Sequence, residues 1–210
     1  MGLTVSEGAG SFELAPAGTH TARCYRIIDL GTQQTEFQGE RKTARKVLVC
    51  WELLGDERMS DGRPFSVAKR YTASLHEKAQ LRKDLAAWRG RDFTPEELKG
   101  FELPKVLGAF CLLNLIRVEK NGRDYINVAS IMALPKGMPK PEGVNDMLAF
   151  DLDKFDQAAF DQLSDRMQEQ IISTPEYQAL KNPALVTPPQ ATASASAPGS
   201  FDDFVDDIPF

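Results

Sequence analysis

Only three cysteines, Cys24, Cys50 and Cys111, and two histidines, His20 and His76, occur in the 210 residues. The cysteines are odd in number and irregularly spaced, and no C-x-x-C pairs them, so the spacing offers no thiolate zinc site. Each lies within an apolar run, where a thiol behaves as a small buried hydrophobe, and a reducing cytoplasm suits all three. No run of 18 apolar residues is present, so no helical membrane span is expected. The opening MGLTVSEGAG has neither the basic nor the apolar region of a secretion signal, and its Gly2 to Ser6 match to a myristoylation signal is too short to use. There is no G-x-x-x-x-G-K-[ST] phosphate loop. Asp151, Asp153 and Asp156 begin like a calcium loop, but that loop needs Gly where Asp156 stands and Glu where Gln162 stands. Neither histidine is paired with a nucleophile by any motif. Asp29, Glu52 and Asp124 are scattered acids whose spacing requires no two-metal site. The expectation is a chain with no catalytic residues, no metal and no cofactor.

What is present is a division of charge. Residues 1–140 hold 22 Lys and Arg against 17 Asp and Glu, a net of +5; residues 141–210 hold 3 against 13, a net of −10. A basic body can meet a polyanion, and an acidic tail meets a different partner.

Strand-like alternation runs from Ala17 to Leu134. It predicts strands near Thr19–Leu30, Lys46–Leu54, Phe65–Ala73, Val106–Val118 and Tyr125–Leu134. The polar stretch GTQQTEFQGERKTAR is expected to be a loop. In KVLVCWELL, Val47, Val49, Trp51 and Leu53 share one face. Ser74 with Glu77 forms a capping-box pattern that predicts a helix start, and Leu81, Leu85 and Trp88 give that helix its apolar stripe. Thr94-Pro95 predicts a second, short helix that ends by Gly100. Asn121-Gly122 predicts a tight hairpin, because both residues tolerate positive φ.

Three strands, a helix and a two-strand hairpin make a mainly β chain. The leading expectation is a five-stranded OB-fold-like Greek-key barrel with a capping helix over residues 17–140. An SH3-like barrel or a plain α+β sheet remains open, since order alone does not fix pairing. Residues 1–16 would be an N-terminal arm. In residues 141–182, Phe160, Leu163, Met167 and Ile171 recur at helical spacing, and Thr174-Pro175-Glu176 begins another short helix. This extension is expected to pack on the barrel or on another subunit. Residues 183–200, PALVTPPQATASASAPGS, contain no charge and little that is apolar, which predicts a disordered linker.

The last ten residues, FDDFVDDIPF, put an apolar tip on an acidic stalk. Asp206-Asp207-Ile208-Pro209-Phe210 behind a Pro- and Ser-containing linker resembles the acidic tip of bacterial single-stranded-DNA-binding proteins. The body is similar, in general pattern only, to the single-stranded-DNA-binding replication proteins of bacteriophages. The resemblance implies a bacterial cytoplasm and a role in DNA replication, recombination and repair. It also implies partner proteins that dock on Asp202, Asp203, Asp206, Asp207, Ile208, Pro209 and Phe210. Independently of family, the acids would speed association and the Phe210 ring would anchor it.

Sequence-tolerant binding of single strands needs cations along a groove and aromatic faces for the bases. The candidates are Arg23 and Tyr25 on the first strand, and Phe37, Arg41, Lys42, Arg45 and Lys46 in and beside the first loop. Trp51, Lys69, Arg70 and Tyr71 follow on the next two strands, with Lys120, Arg123 and Tyr125 at the hairpin. Lys69 and Tyr71 share a parity and so a direction. Blander alternatives stand beside these: Trp51 as core, Lys69-Arg70 as a solvated face, Tyr25 as barrel wall. The rival functions are a DNA-processing nuclease with a borrowed tip, and a tip-mimicking interaction protein that binds no DNA.

Overall fold

The computed structural model describes residues 13–37 and 40–182, with the side chains of residues 35–41 excluded. The expected linker, the acidic tip and most of the N-terminal arm lie outside the described residues.

Six strands build one mainly antiparallel sheet: β1 Gly18–Phe37, β2 Glu40–Leu53, β3 Ser66–Thr72, β4 Phe110–Lys120, β5 Arg123–Ala133 and β6 Leu148–Phe150. Their order is β3-β2-β1-β4-β5, and β6 pairs parallel with β1. The helices are α1 Gln80–Arg89, α2 Pro95–Lys99, α3 Gln157–Phe160, α4 Asp165–Ile172 and α5 Pro175–Lys181. The sheet curls so that β3 approaches β5, and the Lys69 ammonium donates to the Val128 carbonyl at 3.2 Å across that gap.

The central strands are apolar on both faces: in VLVCWELL only Glu52 interrupts the apolar residues, which divide between two cores. Val47, Val49, Trp51 and Leu53 point into the first core with Ala22, Cys24, Leu113 and Leu115. The α1 stripe of Leu81, Leu85 and Trp88 seals that core, and the Trp51 and Trp88 rings sit 5.7 Å apart. Full burial of side chains this size contributes roughly 1.5–3 kcal/mol each. On the other face, Ile28, Leu30, Leu48 and Cys50 meet Phe150, Leu152, Phe160, Leu163 and Ile171 in a second core. The extension 141–182 therefore packs on its own sheet.

Two bulges in β1 make this double use possible. The register slips between Cys24 and Arg26, and again between Asp29 and Gly31. The first slip leaves Tyr25 unopposed and turns Ile27 inward after Cys24. The second sits at Gly31, whose φ of +68° favours glycine; a Cβ there would lie 2.8 Å from Thr174 Cγ2 and 3.0 Å from Leu152 Cδ2. The docking of α5 thus depends on a missing side chain in β1.

Three expectations change. The stretch read as a loop, Gly31–Arg45, is mostly strand: β1 and β2 pair from Thr32↔Arg45 out to Phe37↔Glu40 as a two-stranded arm. Ser74 does not cap a helix. Its Oγ accepts from the His76 N–H at 3.2 Å in a local turn, and α1 starts only after Ala79. A sixth strand, β6, joins the sheet from beyond residues 17–140, where five strands were expected to complete it. Other expectations are met: Thr94 and Glu97 cap α2 reciprocally with Pro95 in the first turn, Thr174 caps α5, and Asn121 and Gly122 take φ of 54° and 71° at the β4–β5 turn.

Candidate nucleic-acid interface

The proposed groove residues separate into three environments. The first is the core. Trp51 is fully buried, so its ring faces the first core and cannot stack on a base. Tyr71 is buried beside it and donates its hydroxyl to Asp84 at 2.8 Å. Burial first, and the Asp84 charge second, raise the Tyr71 phenol well above its ordinary range. Lys69 reaches the same carboxylate at 3.0 Å and lies 5.4 Å from the Tyr71 ring centre; Gln80 donates to it at 2.6 Å. The shared parity of Lys69 and Tyr71 holds, but it points inward, onto a carboxylate supplied by α1.

The second environment is the wall between sheet and extension. Arg23 donates to the fully buried Glu52 at 2.6 Å and to the Asn145 carbonyl at 2.7 Å. Glu52 also accepts from the Val144 N–H at 3.1 Å, the Asn145 N–H at 2.9 Å and the Asn145 side chain at 2.8 Å. The backbone closes so tightly that a Cβ on Gly143 would fall 1.7 Å from Arg23 Cζ. Residues 143–145 are a strap over this ion pair, and Arg23 is structural. Arg45 is bound likewise, to Asp29 and, at 2.9 Å, to Asp153. Lys46 is buried and reaches Thr72 Oγ1 at 3.3 Å. Arg70 donates to Gln170 of α4 at 3.2 Å. Tyr25, on the first bulge, packs into the second core with Arg26 over its ring, and burial raises its phenol above the ordinary value. A face lined by these residues is already occupied by the chain itself.

The third environment is exposed. Lys42 stands on the β1–β2 arm, where the backbones of Phe37 and Arg41 also run; the side chains of those two lie outside the described residues. On the β4–β5 arm, cross-strand pairing puts Lys120 with Arg123, Val118 with Tyr125, and Ile116 with Asn127, all on one face. The opposite face holds the acids: Glu119 pairs with Asp124, and Asp124 bonds Arg117. That division leaves Lys120 and Arg123 without an acid partner among the described residues, beside a half-buried tyrosine and the 43% exposed Ile116. Through the β3–β5 closure this face continues onto the outer side of β3, where Ser66, Ala68 and Thr72 are exposed.

Among the described side chains the proposed groove does not assemble as one site; Lys120, Arg123 and Tyr125 share one face. Ile116 and Val118 are additions that sequence reasoning missed, although the strand alternation that placed Leu113 and Leu115 inside also places them outside. Among the described residues, no group of three His, Cys, Asp or Glu side chains could hold a metal ion, and no helix is long and apolar enough to cross a membrane. The three thiols are buried, and burial pushes Cys50 up to about 12 and the other two higher still, which leaves them unreactive. No protein-family model matches the chain, and no curated protein matches it at a significant level.

Proposed function

We propose that this chain is a non-enzymatic single-stranded-DNA-binding protein of the bacteriophage type, acting in the cytoplasm of a bacterial host. It coats strands during replication, recombination or repair. Its segment Asp202–Phe210 recruits partner proteins. The observation that carries the reading is the exposed β4–β5 face, where two cations without an acid partner among the described residues pair across the strands beside Tyr125, on its turn side. Cations beside a ring are what sequence-tolerant capture of single strands needs. The strand order, with a helix between β3 and β4 and β3 near β5, supports reading the sheet as an OB-type barrel, in which the loop between the fourth and fifth strands borders the binding surface.

The test is a titration of labelled oligo(dT) with the full chain at several salt concentrations, using the unaltered protein and the Lys120→Glu/Arg123→Glu variant. Binding weakens with salt, and the variant lowers affinity at least about tenfold. Its log–log salt slope falls by roughly 1.4, since each phosphate contact on a single strand contributes about 0.7. Absence of binding at low salt, or a variant indistinguishable from the parent, overturns the proposal. The rivals show themselves directly: a nuclease cleaves the oligonucleotide with magnesium, and a tip mimic binds partner proteins but no DNA.

A further inference from the structure

A cavity of about 340 Å³ lies between the end of α1, α2 and the start of β4. Its apolar wall includes Trp88, Phe101 and Phe110, and its polar rim is Arg89, Arg91, Glu97 and Lys105. That volume is at the lower end of the range for ligand pockets, enough for one ring and its neighbours. The rim carries surplus positive charge. Arg89 and Arg91 share a single carboxylate, Glu97, while Lys105 is matched by Glu102 at 3.2 Å. Lys140 adds a further cation 5.8 Å from the Phe110 ring centre. The Arg89 guanidinium is sandwiched against Phe93 and Phe101, 4.5 and 4.9 Å from their centres, and its buried Nη1 has no partner among the described residues. Arg91, 55% exposed, is the guanidinium an incoming carboxylate can reach, and it already shares Glu97 with Arg89.

We infer that this cavity receives the chain's own segment Asp206-Asp207-Ile208-Pro209-Phe210. The chemistry is complementary part by part: paired aspartates for the guanidinium rim, and Ile-Pro-Phe for the three-ring wall. Reach is sufficient. Residues 183–205, fully extended, span up to about 80 Å, whereas a body of this size has a radius of gyration of about 15 Å. The inference does not rest on the nucleic-acid reading, because Phe110 and Lys120 stand at opposite ends of β4, about 34 Å apart along the strand. Docking in this cavity hides the segment from partner proteins and leaves the β4–β5 arm free.

The probe is a labelled FDDFVDDIPF peptide, added to the full chain and to a full-chain variant with Asp206→Ser, Asp207→Ser and Phe210→Ala. The variant binds the peptide at least about tenfold tighter than the unaltered chain, because the tethered segment no longer competes at its high local concentration. Adding Arg91→Glu and Lys105→Glu, whose side chains are 55% and 61% exposed, then weakens peptide binding at least about tenfold and leaves oligo(dT) affinity unchanged. Equal peptide affinity in the unaltered and tip-altered chains overturns the inference. So does peptide binding that ignores Arg91→Glu/Lys105→Glu. Displacement of the peptide by oligo(dT), with loss in Lys120→Glu/Arg123→Glu, assigns it instead to the β4–β5 arm and equally overturns the inference.

Discussion

Replacing Glu52 by alanine separates a structural role for Arg23 from a DNA-binding one. Glu52 is fully buried and accepts from Arg23, the Val144 and Asn145 amides and the Asn145 side chain, at 2.6 to 3.1 Å. Its removal leaves a largely buried guanidinium with only the Asn145 carbonyl, and orphans two backbone donors of the strap. Breaking a buried pair from one side costs about 3–5 kcal/mol. In a protein of this length each kcal/mol moves the melting temperature by roughly 2–4 °C, so the drop is about 6–20 °C. Glu52→Gln retains an acceptor and loses only the charge, for a smaller loss of about 1–3 kcal/mol. Urea unfolding followed by tryptophan emission measures both, since Trp51 and Trp88 are buried in the first core. Amide exchange at Val144 and Asn145 should quicken in the alanine variant more than exchange elsewhere, while its affinity for oligo(dT), taken well below the melting temperature, stays at the parental value. A destabilisation under about 1 kcal/mol, or unchanged exchange at those two amides, would refute the reasoning.

Two further outcomes follow from single residues. Gly31→Ala sets a Cβ 2.8 Å from Thr174 in a backbone conformation that disfavours it; the loss should be about 2–4 kcal/mol, seen in urea unfolding with faster exchange across α5. Hydrogen bonds from Arg91 and the Thr94 N–H, with Arg89 beside them, hold the Glu97 carboxyl down to about 2, against an ordinary 4.5. Its folded pKa is depressed, so its contribution is complete above pH 4.5 and disappears as pH falls toward 2. Glu97→Gln should therefore flatten that part of an acid-unfolding curve followed by circular dichroism, and an unchanged curve would contradict the assignment.

How much of this was legible from residues alone depended on whether a feature was written locally. Asn121-Gly122, the Thr94 cap and the face shared by Val47, Val49, Trp51 and Leu53 carry their signal within a few positions, and each appears where it was expected. The β1–β2 arm was not legible, because its stretches TQQTEF and ERKTAR carry no alternation of apolar and polar residues that would announce a period of two. Ser74 and Glu77 had the right letters for a capping box, but Ser74 finds its donor two residues away instead. The inward turn of Lys69 and Tyr71 is settled by Asp84, a residue of another element, and parity cannot say which side of a strand is the core. Arg23, Arg45 and Arg70 read as exposed cations for the same reason: their partners Glu52, Asp153 and Gln170 are distant in sequence. Lys120, Arg123 and Tyr125 were legible because a two-residue turn fixes register, and register fixes which side chains share a face.

The most direct measurement of the central claim is photo-crosslinking of the full chain to oligo(dT), with the attached peptides identified by mass spectrometry. Crosslinks concentrated on the β4–β5 arm at Tyr125, and lost in Lys120→Glu/Arg123→Glu, are the predicted result. Crosslinks that spare this arm, or that persist unchanged in the variant, would contradict the account.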